Sequence, residues 1–116
     1  LTSSNGAIAI TSTGNVSTNA VVNAHTSVTL TSTSGSVTHA GSVSAGTTVT
    51  VSAATSIAGS GSVTATAGDV GFTAGTTYAS TATLTATAGA VSVSSTGNLS
   101  QTAAISAGMT TSKDED

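Results

Sequence analysis

The 116-residue chain has no cysteine, proline or tryptophan, and Phe72 and Tyr78 are its two aromatic residues. The missing thiols exclude a disulfide framework and a thiolate metal site. They leave the redox compartment open, because an extracellular protein need not use disulfides. Charge is almost absent as well. Between Leu1 and Ser112 only Asp69 carries one with histidines neutral, and Lys113 is followed by Asp114, Glu115 and Asp116, so the net charge of -3 sits mostly at the C-terminus. A protein that displaces counterions from phosphates needs several Lys or Arg, and a single Lys excludes nucleic acid as a partner. No apolar run reaches the 18 residues of a membrane-spanning helix, so no transmembrane helix is expected. No charged segment followed by an apolar stretch opens the chain, and its first residue is not Met.

Ser and Thr supply 47 residues and Gly another 13. Such a composition borders on disorder, but Thr, Val and Ile are abundant and periodic, which favours strands. Four apolar columns recur every 20 or 21 positions. The first reads Ile8, Val28, Val49, Val70, Val91, and the second, two places behind, Ile10, Leu30, Val51, Phe72, Val93. The third reads Val16, Val37, Ile57, Tyr78, Leu99, and the fourth Val22, Val43, Val63, Leu84, Ile105. Self-similarity at fixed period marks a solenoid. Steps of 2, 6, 6 and 6 residues, with an occasional 7, lack the threes and fours of a helical repeat. Alternate residues of a strand share a face, so Ile8 with Ile10, or Val49 with Val51, point inward from one short strand.

The expected fold is therefore all-β: a right-handed parallel β-helix of about five coils with three short strands each, its hand taken from the general preference of strand crossovers. Parallel strands lie about 4.8 Å apart, so about five coils make a rod on the order of 24 Å tall. Flanking the fourth column by two residues, Ala20, Gly41, Gly61, Ala82, Ala103 and Ala24, Ala45, Ala65, Ala86, Ala107 are all small, as a narrow interior near a corner requires. Gly14-Asn15, Ser34-Gly35 and Gly97-Asn98 read as corners, where Gly and Asn tolerate left-handed backbone. Thr11, Thr31, Ser52, Thr73 and Ser94 form an outward hydroxyl ladder. The solenoid is expected over residues 1–108, with 109–116 a polar acidic tail. Leu1, 21 places before Val22, keeps the fourth column's register, so the chain is expected to open in mid-coil, as an excerpt or a processed subunit would.

Little in the sequence carries chemistry, and no cofactor is implied. His25 aligns with Gly46, Thr66, Thr87 and Gly108, and His39 with Thr18, Gly59, Ser80 and Gln101; both are expected to be solvated surface residues. Neither shares a row with a second ligand, so no metal site and no Ser-His-Asp arrangement is assembled with Asp69. Polysaccharide-cleaving β-helices need paired carboxylates or a carboxylate cluster with a base, which a lone Asp69 does not supply, and no enzyme is expected. Asn15-Val16-Ser17 and Asn98-Leu99-Ser100 match the glycosylation tripeptide, yet both occupy one corner of the repeat and read first as turns. Gly59-Ser60-Gly61 lacks the Lys of a phosphate loop.

The coils Ala7 to His25, AIAITSTGNVSTNAVVNAH, and Ala90 to Gly108, AVSVSSTGNLSQTAAISAG, resemble the haemagglutinin repeats of filamentous-haemagglutinin-type proteins, through the four-column register and the G-N-Φ-S corners. The resemblance covers about 100 residues, from Ala7 to Gly108. It implies a stretch of β-helical shaft from a large bacterial exoprotein exported by two-partner secretion, serving adhesion, biofilm formation or toxin delivery at the cell surface. No secretion domain or adhesive tip lies in these residues, so the resemblance carries over no binding residue and leaves any host-surface or matrix receptor unnamed. The expected function is structural: coils, from copies of the chain or from neighbouring segments, stack end to end into a rod or filament. An alternative is an ice-binding solenoid, through Thr64-Ala-Thr66 above Thr85-Ala-Thr87 and Thr29-Leu-Thr31 beside Thr50-Val-Ser52, although both arrays decay, into Asn23-Ala-His25 and Gly71-Phe-Thr73. A cross-β amyloid subunit is a further alternative, from β-rich composition, low charge and absent Pro.

Overall fold

A computed structural model of the chain describes residues 2–107; the expected tail at 109–116 and Leu1 lie outside them. The chain is an all-β parallel solenoid, in which every coil contributes one strand to each of three sheets. The first sheet stacks β1 (Thr2–Ser3), β4 (Val22–Ala24), β7 (Val43–Ala45), β10 (Val63–Ala65), β13 (Leu84–Ala86) and β16 (Ile105–Ala107). The second stacks β2 (Ile8–Ser12), β5 (Val28–Ser32), β8 (Val49–Ala53), β11 (Val70–Ala74) and β14 (Val91–Ser95). The third stacks β3 (Val16–Thr18), β6 (Val37–His39), β9 (Ser56–Gly59), β12 (Thr77–Ser80) and β15 (Leu99–Gln101). Described residues contain no helix, and hence none long and apolar enough to cross a membrane.

Register follows the columns. Ile8 pairs with Val28, Val28 with Val49, Val49 with Val70 and Val70 with Val91, while Ile10, Leu30, Val51, Phe72 and Val93 pair in the same order two residues on. Val16, Val37, Ile57, Tyr78 and Leu99 stack in the third sheet, and Val22, Val43, Val63, Leu84 and Ile105 in the first. In the middle coils these side chains are almost wholly buried in one core; Ile10, Val93 and Leu99 are half-buried at the outer coils, and Ile105 is 47% exposed. The alternation of buried and accessible residues along β5, β8 and β11 is the two-residue period of a strand. Burying each Val or Leu contributes about 1.5–3 kcal/mol relative to exposure, which a chain with two aromatic residues needs from nearly every column position.

Two further rows face inward that the apolar pattern does not announce. Ser32, Ala53 and Ala74 are buried in the row Ser12, Ser32, Ala53, Ala74, Ser95, two residues beyond the second column. Two residues beyond the third, Thr18, His39 and Ser80 are buried in a row that also holds Gly59 and Gln101. His39 is thus a core residue and not a solvated one: it ends the three-residue strand β6, where alternation turns it to the side of Val37.

The corners differ from expectation too. Among the described residues no glycine and no other residue has positive φ, so Gly14, Gly35 and Gly97 do not supply left-handed backbone. What the tight corners require is closeness between coils. The Ala40 and Gly41 N–H groups both donate to the Thr18 carbonyl, at 2.8 and 3.3 Å, and those of Ser60 and Gly61 both donate to the His39 carbonyl, at 2.9 and 3.3 Å. A methyl group on Gly41 would overlap the Ala20 backbone, and one on Gly61 the Gly41 backbone. The row before the fourth column is therefore not uniformly inward: Ala82 is buried, Gly41, Gly61 and Ala103 are half-buried, and Ala20 is exposed. Small size there answers the neighbouring backbone. Ala24, Ala45, Ala65 and Ala86, after that column, do face the core.

Candidate functional site

Polar side chains in this fold serve mainly the contact between one coil and the next. Asn15 Oδ1 accepts from Ser36 N–H at 3.0 Å and from the Ser36 hydroxyl at 3.2 Å, one coil on. Asp69 Oδ1 accepts from Ala90 N–H at 2.9 Å in the same manner. The corner Asn and the only described carboxylate are thus spent on holding coils together. Thr47 Oγ1 donates to the Thr26 carbonyl and Thr76 Oγ1 to the Thr55 carbonyl, each at 2.9 Å. Buried Ser32 donates to the Gly14 carbonyl at 2.5 Å and accepts from Gly35 N–H at 2.9 Å, so its hydroxyl is satisfied inside the core.

The inward polar row of the third sheet is the least ordinary feature. At its upper end Gln101 Nε2 donates to the Ala82 carbonyl at 2.6 Å and Gln101 Oε1 accepts from the Tyr78 hydroxyl at 2.8 Å, while Ser80 Oγ accepts from Ala82 N–H at 3.1 Å. Burial pushes the Tyr78 phenol above its ordinary range, opposed by a hydrogen bond from Ser80. The lower end is different. The His39 ring is 0% exposed, and neither Nδ1 nor Nε2 has a hydrogen-bond partner; Thr18 Oγ1, one coil away in the same row, has none either. The ring lies 5.7 Å from that of Phe72, tilted by 39°, and Phe72 makes an edge contact with Tyr78 at 5.5 Å. Its room comes from Gly59: a methyl group there would overlap the His39 ring. Burial pushes the imidazole below its ordinary value, opposed by the Gly61 backbone.

His25 is exposed at its corner, beside an open groove of about 350 Å³ that Thr2, Asn23, Ser44 and Thr66 also line. Asp69 is exposed at another corner. Among the described residues no three of His, Asp and Glu gather as metal ligands would. Outward rows are hydroxyl-rich and uneven. Thr64 pairs with Thr85, but Ser44 and Asn23 continue the row downward, and Thr29 with Thr50 gives way to Gly71. The ladder Thr11, Thr31, Ser52, Thr73, Ser94 is continuous in hydroxyls but mixes Thr with Ser. The third sheet carries Ala58 and Ala79 between Thr38 and Ser100, forming the floor of a second open groove of about 310 Å³. No protein-family model, curated protein or solved structure matches the chain.

Proposed function

We propose that the chain is a non-catalytic segment of a secreted bacterial surface fibre or adhesin shaft, whose coils stack end to end into a rod. The observation that carries this reading is the unbroken register of three parallel sheets, which repeats the same backbone contact at every level. Such a contact has no natural stopping point. Val93, Leu99 and Ile105 are less covered than their counterparts in the middle coils, and another coil of the same pattern would bury them as Phe72, Tyr78 and Leu84 are buried. Strand addition along three edges would supply backbone hydrogen bonds as well as apolar contact. The resemblance to haemagglutinin repeats adds the bacterial exoprotein setting, with the cell surface as the place of work and adhesion or biofilm formation as the purpose.

Negative-stain electron microscopy and light scattering of the chain at rising concentration test the reading. Rods that lengthen with concentration, at constant width, are the expected result. Compact monomers of uniform mass at high concentration would remove the self-stacking part of the proposal. Thermal hysteresis in the same samples would instead favour the Thr rows as an ice-ordering face, and a fibre whose cross-section is a stacked flat sheet would favour amyloid.

A further inference from the structure

We infer that His39 is an acid-triggered release point in the solenoid: a proton on its ring turns a core filler into a buried, unpaired cation and forces β6 away from β9. The observations are geometric. His39 occupies core volume that Gly59 leaves open, rests against Phe72, and has no partner at either ring nitrogen. A neutral imidazole without partners forgoes hydrogen bonds and is tolerated as a flat, mostly carbon ring. An imidazolium there would carry two donors and a full charge into a medium that offers no counter-charge and, besides the Gly61 backbone, little to accept them, a far larger cost.

No charge nearby would compensate. The strands packed against β6 are β3, β5, β8 and β9, reading VST, VTLTS, VTVSA and SIAG, and none carries a titratable or charged side chain. From β11 the facing group is the Phe72 ring, and beyond it the Tyr78 phenol, whose hydroxyl is bonded to Gln101. Asp69 and His25 stand exposed on corners of other rows. Protonation must therefore be met by expulsion of the ring. β6 is three residues long and is followed by the Ala40-Gly41 corner, so besides the His39 ring its one core side chain is Val37.

The direction of the pH dependence follows. The native state holds His39 neutral and the unfolded chain protonates it at about pH 6.5, so between these the unfolded state binds one more proton. Stability from this group is complete above about pH 6.5 and falls as pH drops below it, the folding equilibrium constant losing about tenfold per pH unit until the native ring itself takes the proton.

The test combines histidine NMR titration with amide exchange, corrected for the intrinsic pH dependence of exchange, between pH 7.5 and 5. In the intact chain the His39 ring resonance is expected to stay in its neutral form well below pH 6.5, and protection in β6 and β9 to fall before that of β10 and β13. His39→Leu should flatten the acid loss, while His25→Gln should leave it as it is. Gly59→Ala, which denies the ring its space, should bring the His39 titration toward about pH 6.5 already in the folded protein. Equal acid dependence in the intact chain and His39→Leu would overturn the inference. A His39 resonance titrating near pH 6.5 with β6 protection undiminished would do so too, and this reading does not depend on any variant folding. Both outcomes are independent of whether the chain forms rods.

Discussion

Truncating Leu30 to Ala isolates what one column position contributes. Leu30 is 0% exposed, stacked between Ile10 below and Val51 above in the second sheet. The change deletes three carbons, about 2.4 kcal/mol at roughly 0.8 kcal/mol per buried carbon. It also leaves a cavity that the coils cannot close, since their spacing is fixed by backbone hydrogen bonds on three sides. That brings the expected loss to about 3–4 kcal/mol, within the range of roughly 2–5 seen for buried Leu→Ala changes. A domain with roughly 5–15 kcal/mol of total stability would lose a large share of it.

Truncation of the same column at the outer coil, smaller by one carbon, should cost much less. Val93 belongs to the same column but is half-buried, and Val93→Ala should remove about 1 kcal/mol. A solenoid contacts only its neighbours, so cost should track the number of neighbouring coils and not the residue's column. Urea unfolding followed by the fluorescence of Tyr78, the only tyrosine in a chain without tryptophan, measures both losses. A Leu30→Ala loss below 1 kcal/mol, or losses at Leu30 and Val93 equal within about 0.5 kcal/mol, would refute a continuous core whose interior coils hold the outer ones.

Gly61→Ala should destabilise by about 1–3 kcal/mol, because the added methyl meets the Gly41 backbone, whereas Gly14→Ala, with open space around it and φ in the ordinary range, should be neutral or slightly stabilising; thermal melts of the pair check this. Tyr78→Phe removes the hydroxyl that donates to Gln101 Oε1 and should cost about 1 kcal/mol in urea unfolding. Burial raises the Tyr78 phenol, so its contribution is complete below about pH 10 and lost as pH rises beyond; Tyr78→Phe should lack that alkaline loss, which melts between pH 9 and 11 would reveal.

The sheets were legible because two periods coincide in the sequence: two residues within a strand and 20 or 21 between coils. Ile8, Val28, Val49 and Val70 could be placed in one column without any knowledge of their contacts. Inward polar residues were not legible by that route, since a pattern search built on apolar side chains assigns Ser32, Thr18 and His39 outward by default. A signal for His39 did exist. It stands two residues after Val37 in the same short strand, and the next residue in its row is Gly59, the one position that makes room for a ring. Corner glycines misled for a different reason: sequence cannot distinguish a Gly that needs left-handed backbone from one that must let another coil approach. Gly61 is of the second kind, and only the neighbouring Gly41 carbonyl says so.

Natural sheets commonly guard open edges with Lys, Glu, Pro or bulges. The outer strands here read TS, IAITS and VST at one end and VSVSS, LSQ and ISA at the other, with none of those residues. Hydroxyls take the place of charge on the faces. They favour extended backbone and solvate the outer faces without adding charge. The corner Asn and Asp, which could have been repelling or ligand-binding groups, accept hydrogen bonds from the next coil instead. Of the two titratable rings in the core, Tyr78 gains its charge only in alkali, and His39 is the one that would gain a charge in acid without a counter-charge. That makes acidity, rather than ionic strength, the condition to which the solenoid's integrity should respond.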